Sequence, residues 1–283
     1  MAGWSSIPSW RLSESRKRPE SAASAFGSLS PPLLKALLPR RLIWLFWLLA
    51  LASFVGVALF PVSNDLTRTV GVLLLLIIWL GFAALLWRRR LLRILIVVLP
   101  IAFGVFLGLP VRSHVDPATL RQDVTTAVRR YKGVPYYWGG ESFKGIDCSG
   151  LVRRGLVDSL FCRGFRSCDP GLVRYSLWLW WHDCTAKDLG QEYRQMTVHI
   201  LDTPSINALD DSRILPGDLA VTQEGVHVME FLGDHMWIEA DPSEGSVVAA
   251  QAPTERILWF RLPFKIMRWT ILCDPPGKSS EAK

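Results

Sequence analysis

Three long apolar runs without a charged residue constrain this chain more than any other feature. They occupy residues 42–62, 69–87 and 94–111 and contain 21, 19 and 18 residues. A helix rises about 1.5 Å per residue, so each run is long enough to cross a hydrocarbon core of about 30 Å. A buried core helix would explain one such run, but three in succession favour membrane-spanning helices, the third kinked at Pro100. Since no ionisable side chain interrupts them, we expect an anchor in the lipid bilayer rather than a transport path.

The charge of the chain is divided unevenly between two parts. Residues 1–110 carry 12 Lys/Arg and 3 Asp/Glu, a net charge of +9, whereas residues 111–283 carry 20 and 22, a net charge of −2. The formal charge of +7 and the isoelectric point near 9.4 therefore belong to the membrane part. A nucleic-acid partner is not predicted, because the part with room for a folded domain has no basic excess.

The basic residues of the loops predict the orientation of the spans. Seven of them precede the first run, only Arg68 lies between the first and the second, and four lie within residues 88–93. Because basic loops stay in the cytoplasm, residues 1–41 are predicted to form a disordered basic cytoplasmic tail. Three crossings then place residues 112–283 on the opposite side of the membrane.

The outer part, residues 112–283, is long enough for one domain with its own core. Its apolar pattern predicts helices over residues 117–131 and 148–160, and then an irregular stretch as far as residue 215. Short strand-like runs follow at residues 218–222, 226–232, 236–240 and 246–250. Helices followed by strands predict an α+β fold.

The five cysteines all lie in this outer part. In an oxidising compartment four of them can pair and one stays free. Three pairings are open, and the favoured one joins Cys162 to Cys168 and Cys184 to Cys273. A zinc site is the competing hypothesis, although its spacing is unlike a zinc-finger knuckle. Its ligands would be Cys162, Cys168, His182 and Cys184.

The remaining cysteine, Cys148, has the sequence context of a nucleophile. It follows a loop that contains Gly139, Gly140 and Gly145, and it begins a predicted helix. The amides of a first helical turn and the positive end of the helix dipole stabilise a thiolate. The same amides can donate hydrogen bonds to an oxyanion. We therefore predict a reactive thiol rather than a buried structural cysteine.

A thiolate nucleophile needs a base, and His227 is the favoured one of the five histidines. It begins a predicted strand, and the chain returns through Glu239 after a turn at Gly233–Asp234. A loop of three or five residues would put His227 directly opposite Glu239, so that the carboxylate orients the imidazole. A two-residue loop would put the two side chains on opposite faces. His199, in another strand-like segment, is the second choice.

Three segments of the outer part carry a recognisable pattern. They are Pro135-Tyr-Tyr-Trp-Gly-Gly followed by Asp147-Cys-Ser-Gly-Leu-Val, then Pro216-Gly-Asp-Leu, then Gly225-Val-His-Val with Leu232-Gly-Asp. Together they resemble the NlpC/P60 family of papain-like cysteine peptidases over about residues 118–260. The expected fold is therefore an α+β papain-like NlpC/P60 domain preceded by three transmembrane α-helices.

The resemblance implies an amide hydrolase that acts on peptidoglycan stem peptides outside a bacterial cytoplasmic membrane. It implies Cys148 as nucleophile, His227 as base and Glu239 as the residue that orients the base. No metal or organic cofactor is expected, and the oligomeric state stays open. The positions that the resemblance places beside the substrate are Tyr136, Asp147 and Ser149.

The chain departs from the family pattern in three ways. The third position is usually His, Asn or Gln, whereas Glu239 stands here; a carboxylate also orients an imidazole and raises its basicity. The 79 positions between Cys148 and His227 exceed the expected spacing and indicate an insertion at about residues 160–205. The Trp-rich segment 177–181 within it either covers the core or lines a groove at the membrane surface. No separate wall-binding module is recognised, so the three spans would supply localisation.

Two alternative functions remain at this stage. A papain-like acyl hydrolase or transferase acting on a lipid or a thioester would suit a domain beside the bilayer. A non-catalytic envelope scaffold would be expected to lack a nucleophile or a base, yet both are present. A reactive Cys148 thiol separates an enzyme from a scaffold, and a polar or apolar groove separates the two enzymes.

Overall fold

The computed structural model describes residues 40–110 and 115–274. The predicted tail therefore lies outside the described residues, apart from its last two positions. The chain first forms three long helices, which are α1 (Arg40–Leu59), α2 (Asp65–Leu86) and α3 (Arg90–Gly108). All three are long and apolar enough to cross a membrane, and only 6%, 6% and 0% of their apolar windows are buried. They therefore do not form the core of a water-soluble domain.

The helix α2 begins before the apolar run that predicted it, because a cap sets its start. The Asn64 side chain accepts a hydrogen bond from Thr67 N, and Thr67 Oγ1 accepts one from Asn64 N, each at 2.9 Å. Asp65 in the first turn suits the positive end of the helix dipole. As a result α2 includes Arg68, which the charge pattern had placed in a loop. The helix α3 continues through Pro100.

The rest of the described chain is an α+β domain built on a six-stranded antiparallel sheet. Its helices are α4 (Pro117–Arg129), α5 (Cys148–Arg166), α6 (Pro170–Trp181) and α7 (Ala186–Leu189), and a small hairpin consists of β1 (Glu141–Ser142) and β2 (Gly145–Ile146). In spatial order the sheet contains β3 (Thr197–Thr203), β8 (Phe264–Trp269), β4 (Leu219–Thr222), β5 (Val228–Gly233), β6 (Met236–Asp241) and β7 (Ser246–Gln251).

The core lies on both faces of this sheet. Buried side chains of α4 and α5, such as Leu120 and Leu156, pack with Val228 of β5 on one face. On the other face Phe231 packs with Phe260, which belongs to a 3-10 turn at Leu258–Arg261. Because α5 packs across β5 and β6, the first residue of α5 meets the first residues of β5.

The structure corrects two predictions of secondary structure. The stretch up to residue 215 is not irregular, since it contains α6, α7 and β3. The strand β8 was not predicted, although it lies between β3 and β4 in the sheet. Four of its six residues are buried, without strict alternation, because both faces of the sheet are covered. A strand buried in this way lacks the period-two pattern by which strands are recognised.

The predicted disulfides are wrong, since all five cysteines are free. Cys162 and Cys168 are exposed, and the Cys168 thiol lies against the Phe165 carbonyl instead. Burial raises the pKa of the Cys184 thiol to about 12, and Cys273 lies beyond β8 with its thiol near the Trp269 carbonyl. The zinc alternative finds no support either, because no three potential ligands cluster within residues 40–110 and 115–274.

Glu230 of β5 is an unexpected member of the core. Its side chain is fully buried, and neither carboxylate oxygen has a hydrogen-bond partner in the described part of the chain. Burial, aided by the charge of Asp218, raises the pKa of Glu230 to about 8. The carboxyl group is therefore largely protonated in the folded protein at neutral pH.

This protonation makes stability depend on pH. Between pH 4.5 and 8 the folded protein retains a proton that the unfolded chain releases, so stability falls as pH rises, by up to about 1.4 kcal/mol per pH unit. Glu230→Gln should remove this slope. Measured on full chains in detergent, the melting temperature of the variant should exceed that of the parent, by a margin that grows up to pH 8. Glu224→Gln, at an exposed position, is the control. Parallel melting profiles of the Glu230→Gln variant and the parent would contradict the assignment.

Candidate active site

The side chain of Asp147 sets the position of Cys148, the first residue of α5. Asp147 Oδ1 accepts a hydrogen bond from Gly150 N at 2.6 Å and so caps the helix, and Oδ2 accepts one from Gly139 N at 2.8 Å. Ser149 Oγ donates to the same Oδ1 at 3.0 Å. One carboxylate thus ties the glycine loop to the start of α5. Asp147 and Ser149, predicted to lie beside the substrate, line the same cleft as Cys148.

The cleft around Cys148 contains two potential hydrogen-bond donors, the Cys148 amide and the Tyr136 phenol. The amides of Gly150 and Leu151 bond to Asp147, but no acceptor within the described residues bonds to Cys148 N. Tyr136 also lines the cleft. Burial, with the charges of Cys148 and Asp147, raises the pKa of Tyr136 to about 12, so its phenol remains a donor at neutral pH. The cleft therefore offers donors where an oxyanion would form during attack by Cys148.

The β5–β6 hairpin brings His227 and Glu239 together by a different route from the predicted one. The loop has only two residues, Asp234 and His235, both at positive φ. A bulge between Phe231 and Gly233 shifts the register by one residue, and this shift restores the shared face that a two-residue loop would otherwise abolish. Glu239 is therefore the diagonal neighbour of His227 rather than its direct partner.

His227 and Glu239 form a buried hydrogen bond. His227 Nε2 lies 2.5 Å from Glu239 Oε2, and both side chains are 2% exposed. Burial alone would lower the pKa of His227, but its hydrogen bonds to Cys148 and Glu239, and their negative charges, outweigh this effect and raise the pKa to about 9. Because Nε2 is engaged by Glu239, Nδ1 is the nitrogen left for Cys148. The His227 imidazole is therefore largely protonated at neutral pH.

Trp259 holds the other side of the imidazole, and no sequence pattern had indicated it. Its ring stacks on His227 with centroids 4.2 Å apart and an interplanar angle of 13°. It stands in the 3-10 turn before β8, 111 positions from Cys148, and it lines the cleft. His227 is thus fixed at its edge by Glu239 and on its face by Trp259, which keeps the ring in one orientation.

The second-choice base, His199, is not part of this arrangement. It lies on β3 with an exposed side chain, and its Nε2 is 3.3 Å from Asp202 Oδ1. The cleft itself has a volume of about 570 Å³ and contains neither residue. Of the four histidines that the structure describes, only His227 lines it.

The cleft has a wall that comes from the membrane helices. Ser63, in the connection between α1 and α2, lines the cleft, and its N–H donates to Gly139 O at 2.8 Å. Val62 pairs with Gly140 in an isolated antiparallel bridge. The α1–α2 connection therefore contacts the loop that precedes Cys148.

A cluster of four charges, three of them buried, joins this wall to the domain. Arg68 Nη2 donates to Glu141 Oε2 at 2.8 Å, and Arg153 Nη1 donates to Glu141 Oε1 at 2.7 Å. Arg153 is also bonded to Asp183, so two cations face two carboxylates. Arg68 and Arg153 are each 2% exposed. Removal of one partner of such a cluster leaves an uncompensated buried charge, which is strongly destabilising.

The end of α5 and the helix α6 also contact α3. Arg174 of α6 donates to the carbonyls of Leu107 and Leu109 at the end of α3. Phe165 stacks on Phe106 with ring centroids 5.8 Å apart. In the Trp-rich segment Leu179 is buried in the core, Trp180 lines a cavity beside α1 and α2, and Trp181 is exposed.

Several solved structures match part of the chain. One is NlpC2 from Trichomonas vaginalis, which is 18% identical, with 53% of this chain and 46% of that chain covered and a TM-score of 0.35. Another is an NlpC/P60 family protein from Bacillus cereus, which is 19% identical, with 56% of this chain and 40% of that chain covered and a TM-score of 0.32. The peptidoglycan hydrolase RipB from Mycobacterium tuberculosis also matches. It is 20% identical, with 55% of this chain and 67% of that chain covered and a TM-score of 0.34.

The extent of these likenesses is limited. The chain spans less than half the length of the first two proteins, and all three TM-scores are below 0.5. No family model and no curated protein matches the chain.

Replacement of Glu239 by Gln should shift the pH dependence of activity. Since the pKa of His227 is raised to about 9 partly by the Glu239 carboxylate, loss of that charge should lower it. The imidazolium that protonates the leaving group would then be lost at lower pH, so the basic limb of kcat/KM should move down by about 1 pH unit or more. Glu244→Gln, whose carboxylate pairs with Arg256 at the surface, is the control. If the basic limb does not move, the Glu239 carboxylate does not raise the pKa of His227.

Replacement of Arg68 by Leu should loosen the loop in front of Cys148. The Glu141 and Asp183 carboxylates would then face only Arg153, and the wall that contacts Gly139 would lose its ion pair. Hydrogen exchange of amides 139–147 should accelerate in the full chain in detergent. The control is Arg130→Leu, at an exposed position next to the end of α4, which should leave the exchange of these amides unaltered. Equal protection in the two variants would show that the cluster does not hold the loop.

Proposed function

We propose that this protein is a membrane-anchored cysteine peptidase that hydrolyses amide bonds in peptidoglycan stem peptides. Cys148 is the nucleophile, His227 the general base and acid, and Glu239 the residue that orients His227. The substrate class follows from the NlpC/P60-like sequence pattern. The observation that carries the chemistry is the buried 2.5 Å contact between His227 and Glu239 in the cleft that holds Cys148.

The reaction proceeds through an acyl-enzyme. The Cys148 thiolate attacks the scissile carbonyl carbon, and the oxyanion accepts hydrogen bonds from Cys148 N and the Tyr136 phenol. His227 gives its proton to the departing amine, and the C–N bond breaks. His227 then removes a proton from water, which attacks the thioester and releases a carboxylic acid and the thiolate. These steps use only groups of this chain and water.

The membrane part supplies more than localisation in this proposal. We place the N-terminus in the cytoplasm of a bacterium and the α+β domain outside the cytoplasmic membrane, because the basic residues precede α1 or lie between α2 and α3. The cleft then opens at the membrane surface, and Ser63 forms part of its wall. The full chain is therefore the form in which activity is to be measured.

The alternative is an acyl hydrolase or transferase that acts on a lipid or a thioester. The observation in its favour is the wall of the cleft that contains Ser63. A cleft that adjoins membrane helices is accessible from the bilayer. The polar lining beside Cys148 favours the peptidase. It includes Asp147, Arg153 and Asp183.

The full chain in detergent should cleave defined muropeptides, with products identified by mass. Cys148→Ala and His227→Ala should each lower the rate by at least about 1,000-fold, because a nucleophile and its base act as a unit. Cys162→Ala, at an exposed cysteine, is the matched control and should keep parental activity.

The same preparation distinguishes the other functions. Hydrolysis of an acyl thioester without cleavage of muropeptides, and dependent on Cys148, would favour the acyl hydrolase. No reaction with either substrate, together with a thiol that iodoacetamide does not alkylate below pH 7, would favour a scaffold.

A further inference from the structure

The active-site cleft is continued toward the membrane by a second cavity. This cavity has a volume of about 330 Å³ and shares Ser63 and Glu141 with the cleft. Its walls come from the domain-facing ends of α1 and α2 and from the domain itself, for example Val57, Val72 and Trp180. The cavity is thus polar where it meets the cleft and apolar where it meets the helices.

A third cavity extends the apolar end along the membrane helices. It is a groove of about 670 Å³ between α2 and α3, and it shares Val72 and Leu75 with the second cavity. Every residue that lines it is apolar, down to Trp79 of α2. Eleven residues separate Arg68 from Trp79, which corresponds to about 16 Å along a helix. The three cavities therefore form a series that leads from Cys148 into the membrane part.

Arg68 stands where this series changes from polar to apolar. Its side chain is 2% exposed, and its Nη2 and Nε atoms donate to Glu141 and Ser63. The Nη1 atom makes no hydrogen bond within the described residues, and Asp65 Oδ1 lies 3.8 Å from it. A buried donor without an acceptor is unfavourable, so an oxygen of a bound ligand would stabilise this site.

We propose that the substrate is a lipid-linked stem peptide, bound with its hydrocarbon chain in the groove between α2 and α3. An oxygen of its headgroup accepts a hydrogen bond from Arg68 Nη1 in the second cavity, and its peptide enters the cleft at Cys148. This inference rests on the proposed function and names the form of substrate that the site takes. The bilayer delivers the chain directly, because the groove lies on helices that span it.

A soluble peptide or a bulk phospholipid would explain only part of the series of three cavities. A soluble peptide would fill the cleft alone and would leave the two apolar cavities and Arg68 Nη1 without a use. A bulk phospholipid would fill the groove, but it would not explain why the groove adjoins the cleft through Ser63 and Glu141. A molecule with a tail, a headgroup and a peptide fits all three cavities.

The test compares two forms of one substrate with the full chain in lipid nanodiscs. One form is a disaccharide stem peptide attached through a diphosphate to a polyprenyl chain, and the other is the same disaccharide peptide without the chain. The expected kcat/KM is at least 10-fold higher for the lipid-linked form. Equal values for the two forms, or a higher value for the tail-less form, would overturn the inference and leave the peptidase proposal standing.

A matched pair of variants tests the groove itself. Leu75→Trp fills the groove, whereas Leu73→Trp adds the same bulk to a residue of α2 that lines none of the three cavities. The two leucines are 54% and 53% exposed, so they are equivalent in burial. Leu75→Trp should lower kcat/KM for the lipid-linked form at least 10-fold and leave the tail-less form unchanged, whereas Leu73→Trp should change neither.

The remaining outcomes also decide the matter. If Leu75→Trp lowers activity toward both forms equally, a bulk lipid or the packing of the helices occupies the groove, and the inference is wrong. If the parent chain cleaves neither form, the proposed function falls and the inference falls with it. The comparison of the two forms by the parent chain does not depend on the folding of any variant.

Discussion

The buried hydrogen bond between His227 and Glu239 is the interaction on which the candidate site depends. It forms because a two-residue loop and a bulge act together in the β5–β6 hairpin. Without the bulge the two side chains would point to opposite faces, and Glu239 would be a buried carboxylate without a partner. With it, the carboxylate raises the pKa of His227 against the effect of burial. The chemistry of the site is therefore set by a local irregularity of one strand pair.

The second constraint is the contact between the membrane helices and the domain. Ser63 and Val62 bond to the glycine loop before Cys148, and Arg68 completes a cluster of two cations and two carboxylates that is largely buried. An anchor that acted only as a tether would need no such contacts. The α1–α2 connection is instead part of the cleft, and this arrangement joins the cleft that holds Cys148 to a cavity that adjoins an apolar groove.

Much of the fold was predictable because its signals are local. The helix that begins at Cys148 follows from a glycine loop and a capping Asp147, and the strands β4 to β7 follow from short apolar runs. The strand β8 was missed, because a strand covered on both faces shows no period of two. The helix α6 was missed although its buried residues Leu172, Ser176 and Leu179 follow a helical spacing. The disulfides were wrong since the positions of cysteines along a chain do not tell which of them meet in space.

The sequence by itself determined three apolar helices, an α+β domain after them, and a cysteine and a histidine in motifs that point to one chemistry. These features depend on neighbouring residues and on side-chain type, which are legible along the chain. Only the tertiary structure decided that Trp259 stacks on His227, that a bulge aligns Glu239, and that Ser63 and Arg68 join the cleft. These contacts join residues far apart in the chain, and their geometry arises only when sheet, helices and membrane segments pack together.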